Sequence, residues 1–148
     1  MEKRDFVRGE YFVFEGKTTI WDTEDVFIRV DCSVNALDKE QEHLSKYIDS
    51  INEKLIWIAD HRSDIGNVLF DRVMMSKIDR PTDGSPLQPA VSRQDFCNSL
   101  KVDEIILAFD GDTADAELYL SSDSDYLDGR SITTVLSEHN EVACYLEE

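Results

Sequence analysis

The apolar residues of this chain change period twice, and that change limits what it can fold into. Val26, Ile28, Val30 and Cys32 alternate with Phe27, Arg29 and Asp31, the period-two pattern of a strand with one buried face. From Asp38 the step becomes three and four. Leu44, Tyr47, Ile48, Ile51, Leu55 and Ile58 then form a single stripe along a helix. Beyond Leu100 the period returns to two, through Ile105, Leu107 and Phe109 and then Ala116, Leu118 and Leu120. Strands, then helices, then strands, with no alternating β-α units, predict an α+β domain with an antiparallel sheet and its helices on one face.

The N-terminal block reads as a three-strand meander: Tyr11 to Phe14, a turn at Glu15-Gly16-Lys17, Thr18 to Trp21, a turn over Asp22 to Asp25, and Val26 to Cys32. Two or three helices follow. Asp38, Glu40 and Glu42 crowd the first turn of the first, where the helix dipole favours negative charge. A second runs from Asp64 to Ile78 and is expected to bury Ile65, Val68, Leu69 and Val73, ending near Pro81 in the loop PTDGSPLQP. A short third has Ser92 as its N-cap and Phe96 and Leu100 as its apolar side. A four-strand meander closes the chain, with a hairpin signal at Asp110-Gly111 and Asn140 at its last turn, where it tolerates a left-handed backbone. The 148 residues fit a single domain, residues 1–148, with no internal repeat.

Charge is the dominant chemical fact. The formal net charge is -17. A field of that sign repels nucleic acid and anionic lipid, and it speeds encounter with basic partners. No lysine or arginine lies between Val102 and Gly129, a stretch that holds Asp103, Glu104, Asp110, Asp112, Asp115, Glu117, Asp123, Asp125 and Asp128. Like charges at this density oppose folding, so a basic partner is the reading preferred over solubility alone. Asp110, Asp112, Asp115, Asp123, Asp125 and Asp128 are its candidate binding residues.

The same aspartates suggest calcium, but the spacing does not fit an EF-hand loop. Counted from Asp123, position five is Leu127, Asp128 stands where glycine belongs, and position twelve is Thr134. Counted from Asp110, Ala114 and Asp115 occupy positions five and six. An irregular metal site from Asp110, Asp112, Asp123 and Asp125 is the alternative that remains, provided the two loops converge.

Little else points to chemistry. Glu40 and His43 have the Glu-x-x-His spacing of a carboxylate-bridged metal site, which needs a second copy that this chain lacks. Asp60-His61 and Glu138-His139 are neighbours in sequence only. No HExxH, glycine-rich phosphate loop or nucleophile elbow occurs, so no cofactor is expected and an enzyme of unrecognised type stands only as the third reading, requiring a cleft where titratable groups converge. Cys32, Cys97 and Cys144 make no CxxC pair. They read as core residues of a protein in a reducing compartment, and nothing cationic lies near Cys97 in sequence to activate it. The first residues suggest no signal peptide and no segment suggests a membrane span, so a cytoplasmic location is expected. Of the aromatics in the first meander (Tyr11, Phe12, Phe14, Trp21 and Phe27), any on an uncovered face would serve as interface anchors.

The segments SRQDFCNSLKVDEIILAFD and DYLDGRSITTVL carry a resemblance. Over its C-terminal two thirds the chain resembles a group of uncharacterised bacterial domains, the domain-of-unknown-function group numbered 2262. Where that group carries an aromatic residue and a histidine about the glycine, this chain has Asp128 and Arg130 around Gly129. The resemblance implies a bacterial cytoplasmic protein. By analogy with similar small acidic domains, it implies an immunity protein that neutralises a toxin. The expectation is therefore a non-enzymatic protein-interaction module for a basic partner.

Overall fold

A computed structural model describes residues 1–2, 5–8, 13–31, 40–79, 92–110, 113–122 and 131–146, with the backbone alone at 8, 13, 40–46, 75–79, 110, 113 and 146. Its strands are β1 (Val7–Arg8), β2 (Val13–Ile20), β3 (Thr23–Asp31), β4 (Leu100–Asp110), β5 (Thr113–Ser122), β6 (Ile132–Leu136) and β7 (Val142–Leu146). They form one sheet in chain order. Neighbours are antiparallel except β3 and β4, which run parallel with Phe27 beside Glu104 and Asp31 beside Ala108. Parallel neighbours need a long crossover, and α1 (Glu40–Asp60), α2 (Arg62–Asp79) and α3 (Arg93–Ser99) lie in it. The fold is α+β, as expected. The two meanders are halves of one sheet, joined at a parallel seam.

The first meander departs from its expected turns. Glu15, Gly16 and Lys17 do not turn but sit inside β2, paired with Arg29, Ile28 and Phe27. Gly16 is needed for close approach: a Cβ there would come within 2.9 Å of the Asp5 carbonyl oxygen and 3.3 Å of the Phe6 ring. The actual turn is Trp21-Asp22, between the paired residues Ile20 and Thr23. Their φ angles of 51° and 63° are the left-handed pair that a type I′ hairpin requires. Asp25, with φ 57°, marks a bulge where the register shifts between Thr18 and Ile20.

One face of the sheet carries the core. Val26, Ile28, Val30, Ile105, Leu107, Leu118 and Leu120 are buried with Ile51 and Ile58 of α1 and with Ile65, Leu69 and Val73 of α2. The row 65, 69, 73 faces inward. Val68, expected to be buried, lies about 100° round the helix from Leu69 and is 37% exposed. Ser92 caps α3 by accepting the Asp95 amide at 3.0 Å, and Phe96 behind it is fully buried. Gly66 lets α3 approach α2, since a Cβ there would stand 2.9 Å from Cys97 Cβ.

His61 forms the corner between α1 and α2. Its ring stacks on Trp57 at 4.1 Å, and its Nδ1 lies 2.7 Å from the Trp57 carbonyl. Trp21 Nε1 donates to the Ile58 carbonyl at 3.0 Å, fastening the first hairpin to the end of α1. Arg62 Nη2 donates to the carbonyls of Asn98 and Leu100, both at 2.8 Å, and its guanidinium lies 5.5 Å from the Trp21 ring.

Candidate functional site

The sheet register decides how the acidic residues are distributed. Asp110 closes β4 opposite Thr113, and Asp115 lies exposed on β5. Asp112, Asp123, Asp125 and Asp128 fall outside the described residues. Ser122, which precedes the 123–130 segment, pairs with Leu100 at the other end of β4. The ten residues of β5 cover about 33 Å, so the segments holding Asp110 and Asp123 leave opposite ends of the sheet. Of the alternative metal site, only the backbone of Asp110 is described; Asp112, Asp123 and Asp125 lie outside the described residues. Among the described residues, no group of three or more His, Cys, Asp or Glu side chains could hold a metal ion.

The face turned away from the helices carries two rows of cross-strand side chains. No described element packs on it. Direct cross-strand pairing produces one row of Lys17, Phe27, Glu104, Tyr119, Thr133 and Tyr145, and a second of Glu15, Arg29, Ile106, Glu117, Val135 and Ala143. Phe27, Ile106, Tyr119 and Val135 are half-buried in the sheet surface, while Tyr145 is 59% exposed. Glu104 and Glu117 lie between them, with Asp31 and Asp115 on the next row. The bases of this face are Lys17, Arg29 and Lys101, and Arg29 stands 4.0 Å from Glu15. Six inter-strand spacings of about 4.8 Å make the sheet roughly 29 Å wide.

A second feature lies at the end of the sheet where β5 begins and β6 turns into β7. Lys54 projects from α1 into the turn and is buried. Its Nζ donates to the Ser137 carbonyl and to Asn140 Oδ1, both at 2.6 Å. Asn140 adopts φ 62°, and its amide donates to the Ser137 carbonyl at 2.9 Å, closing the turn around the ammonium. Burial pushes the Lys54 pKa below its usual 10.5, and the carboxylates of Asp115 and Glu138 act against that shift. Above Lys54 opens a cleft of about 370 Å³, walled by Glu53 and Trp57 of α1 on one side and Glu138 of the turn on the other.

The remaining candidates have structural surroundings. His61 is part of the helix corner, His139 is exposed beside Glu138 at 3.1 Å, and the His43 side chain lies outside the described residues. Cys97 has two arginines near it: Arg93, one turn earlier on α3 and overlooked in the sequence, and Arg62 from the start of α2. Burial nevertheless outweighs them and pushes its thiol pKa up. Burial likewise raises Cys144, which faces the Val68 carbonyl at 4.0 Å. Neither thiol is prepared as a nucleophile.

Lys54 was missed by sequence reasoning although a signal existed. It stands three residues after Ile51 and four before Ile58, inside the apolar stripe of α1. A lysine at such a position must find acceptors or remain an uncompensated buried charge. Among the described residues no helix is long and apolar enough to cross a membrane. No family model, no curated protein and no solved structure matches the chain.

Proposed function

We propose that this protein is a non-enzymatic interaction module that docks a basic protein on the uncovered face of its sheet. The observation that carries this reading is the cross-strand row Phe27, Glu104, Tyr119, Thr133 and Tyr145, in which aromatic side chains alternate with polar ones. Aromatic anchors supply apolar contact, and interleaved carboxylates select a positively charged counterpart. A net charge of -17 adds long-range attraction for such a partner and repulsion for nucleic acid. In its specific form the partner is a toxin and the chain a bacterial immunity protein, an analogy that comes from the resemblance of its closing segments.

The test is affinity capture from native lysate with salt-step elution. The wild type is run beside a variant carrying Asp31→Lys, Glu104→Lys and Glu117→Lys. A basic protein retained by the wild type, released as salt rises and lost by the variant supports the proposal. Equal retention by both proteins contradicts it.

A further inference from the structure

The cleft over Lys54 is unrelated to the uncovered face and has its own chemistry. Ser50, Glu53, Lys54 and Trp57 reach it from one stripe of α1, at spacings of three, four and seven residues. Glu138 and Asn140 reach it from the turn after β6. An aromatic ring and two carboxylates on facing walls make a lining suited to a positive charge. Among the described residues the one cation lining it, Lys54, is already held by the Ser137 carbonyl and Asn140 Oδ1 at the base of the cleft. Glu53 makes no hydrogen bond or ion pair with a described residue, and Glu138 lies beside the exposed His139 at 3.1 Å and acts on Lys54 through its charge.

We infer that this cleft binds a guanidinium group between Glu53 and Glu138, against the indole of Trp57. A planar guanidinium can donate to a carboxylate on each wall while packing on the indole of Trp57, one face of which the His61 ring already covers at 4.1 Å. A volume of about 370 Å³ accommodates an arginine side chain. The buried ammonium repels a second cation, so the guanidinium sits toward the mouth. This arrangement has a sign that separates it from any anion or carbonyl site. In an anion site Lys54 would be the principal donor, whereas in a guanidinium site it opposes binding.

The source of the guanidinium is either a free small molecule or an arginine on a protein, and the two are separable with probes. Tryptophan fluorescence is followed while methylguanidinium, N-acetylargininamide and the neutral N-acetylglutaminamide are titrated, using a Trp21→Phe background so that Trp57 reports. Saturable binding of N-acetylargininamide, weakened at least about fivefold by Glu53→Gln or Glu138→Gln, is the expected result. N-acetylglutaminamide is expected to give no response. Equal affinity for methylguanidinium identifies a free cation as the occupant, and tighter N-acetylargininamide binding identifies a protein side chain. Lys54→Met, checked for a cooperative melt, is expected to tighten binding. Amide shifts of the 137–141 turn provide the readout if that variant does not fold, with wild-type shifts confined to this turn and to residues 50–57. A non-saturable response, equal binding of the neutral analogue, or weaker binding by a folded Lys54→Met protein overturns the inference. Loss of partner capture on the sheet face leaves these titrations unaffected.

Discussion

The Lys54 ammonium and the Ser137 carbonyl, 83 positions apart in sequence, meet at 2.6 Å and tie the middle of α1 to the turn between β6 and β7. Few contacts in this fold span so much chain, and this one uses a charged group in an apolar stripe. Its electrostatic cost has a measurable sign. The folded state lowers the Lys54 pKa, so it releases this proton more readily than the unfolded chain does. Unfolding then takes up a proton between the folded pKa and 10.5, and stability must rise with pH across that window. Urea unfolding from pH 8 to 10.5 is expected to show wild type gaining stability relative to Lys54→Met. A loss relative to that variant would mean that ion pairing, not burial, governs this lysine.

Gly66 marks a close contact between α2 and α3. Gly66→Ala would set its methyl 2.9 Å from Cys97 Cβ and 3.3 Å from Cys97 Cα. Overpacking of this kind costs roughly 1–3 kcal/mol, in excess of the small gain alanine brings to a helix. Thermal unfolding of Gly66→Ala, Cys97→Ala and the double variant is the check. The expected result is a lower Tm for Gly66→Ala and partial recovery in the double variant, because the sulfur goes but the Cβ remains.

Burial suppresses both described thiols despite the arginines near Cys97. At pH 8 the thiolate fraction of Cys97 and Cys144 is therefore below that of an ordinary cysteine. Alkylation by iodoacetamide with peptide mapping should show both reacting roughly tenfold or more slower in the native protein than in urea. Rapid native labelling of Cys97 would instead indicate an activated nucleophile.

Trp21 joins the first hairpin to the helices through a single N–H, donated to the Ile58 carbonyl at 3.0 Å. Trp21→Phe keeps most of the apolar contact but removes this donor and the larger ring beneath Arg62. A loss of about 1–2 kcal/mol in urea unfolding is expected. An unchanged midpoint would show that the hydrogen bond contributes nothing net.

Much of this architecture was legible in the sequence because periodicity reports burial directly. Val26, Ile28 and Val30, and Tyr47, Ile51, Leu55 and Ile58, are buried in the patterns their spacing announced. The Ser92 cap and the left-handed Asn140 were legible from local chemistry. Gly16 was misread because glycine signals either a turn or a close approach, and only the N-terminal segment lying over β2 distinguishes them. The parallel seam between β3 and β4 was not legible, since strand pairing across a helical crossover leaves no local pattern. Where the acidic segments are anchored was not legible either, since it depends on the length of β5, whose two ends adjoin them. The rows on the uncovered face depend on five registers at once, so no single strand revealed them.

The most direct test of the account is the affinity of the captured basic partner for wild type and for a Phe27→Ala, Tyr119→Ala, Tyr145→Ala variant, measured by calorimetry beside a melting curve for each. The account predicts a folded variant whose Kd is at least about a hundredfold weaker, since aromatic anchors contribute about 2 kcal/mol or more each at an interface core. A folded variant that binds as tightly as wild type would contradict it, and the partner surface would have to lie elsewhere than on the sheet.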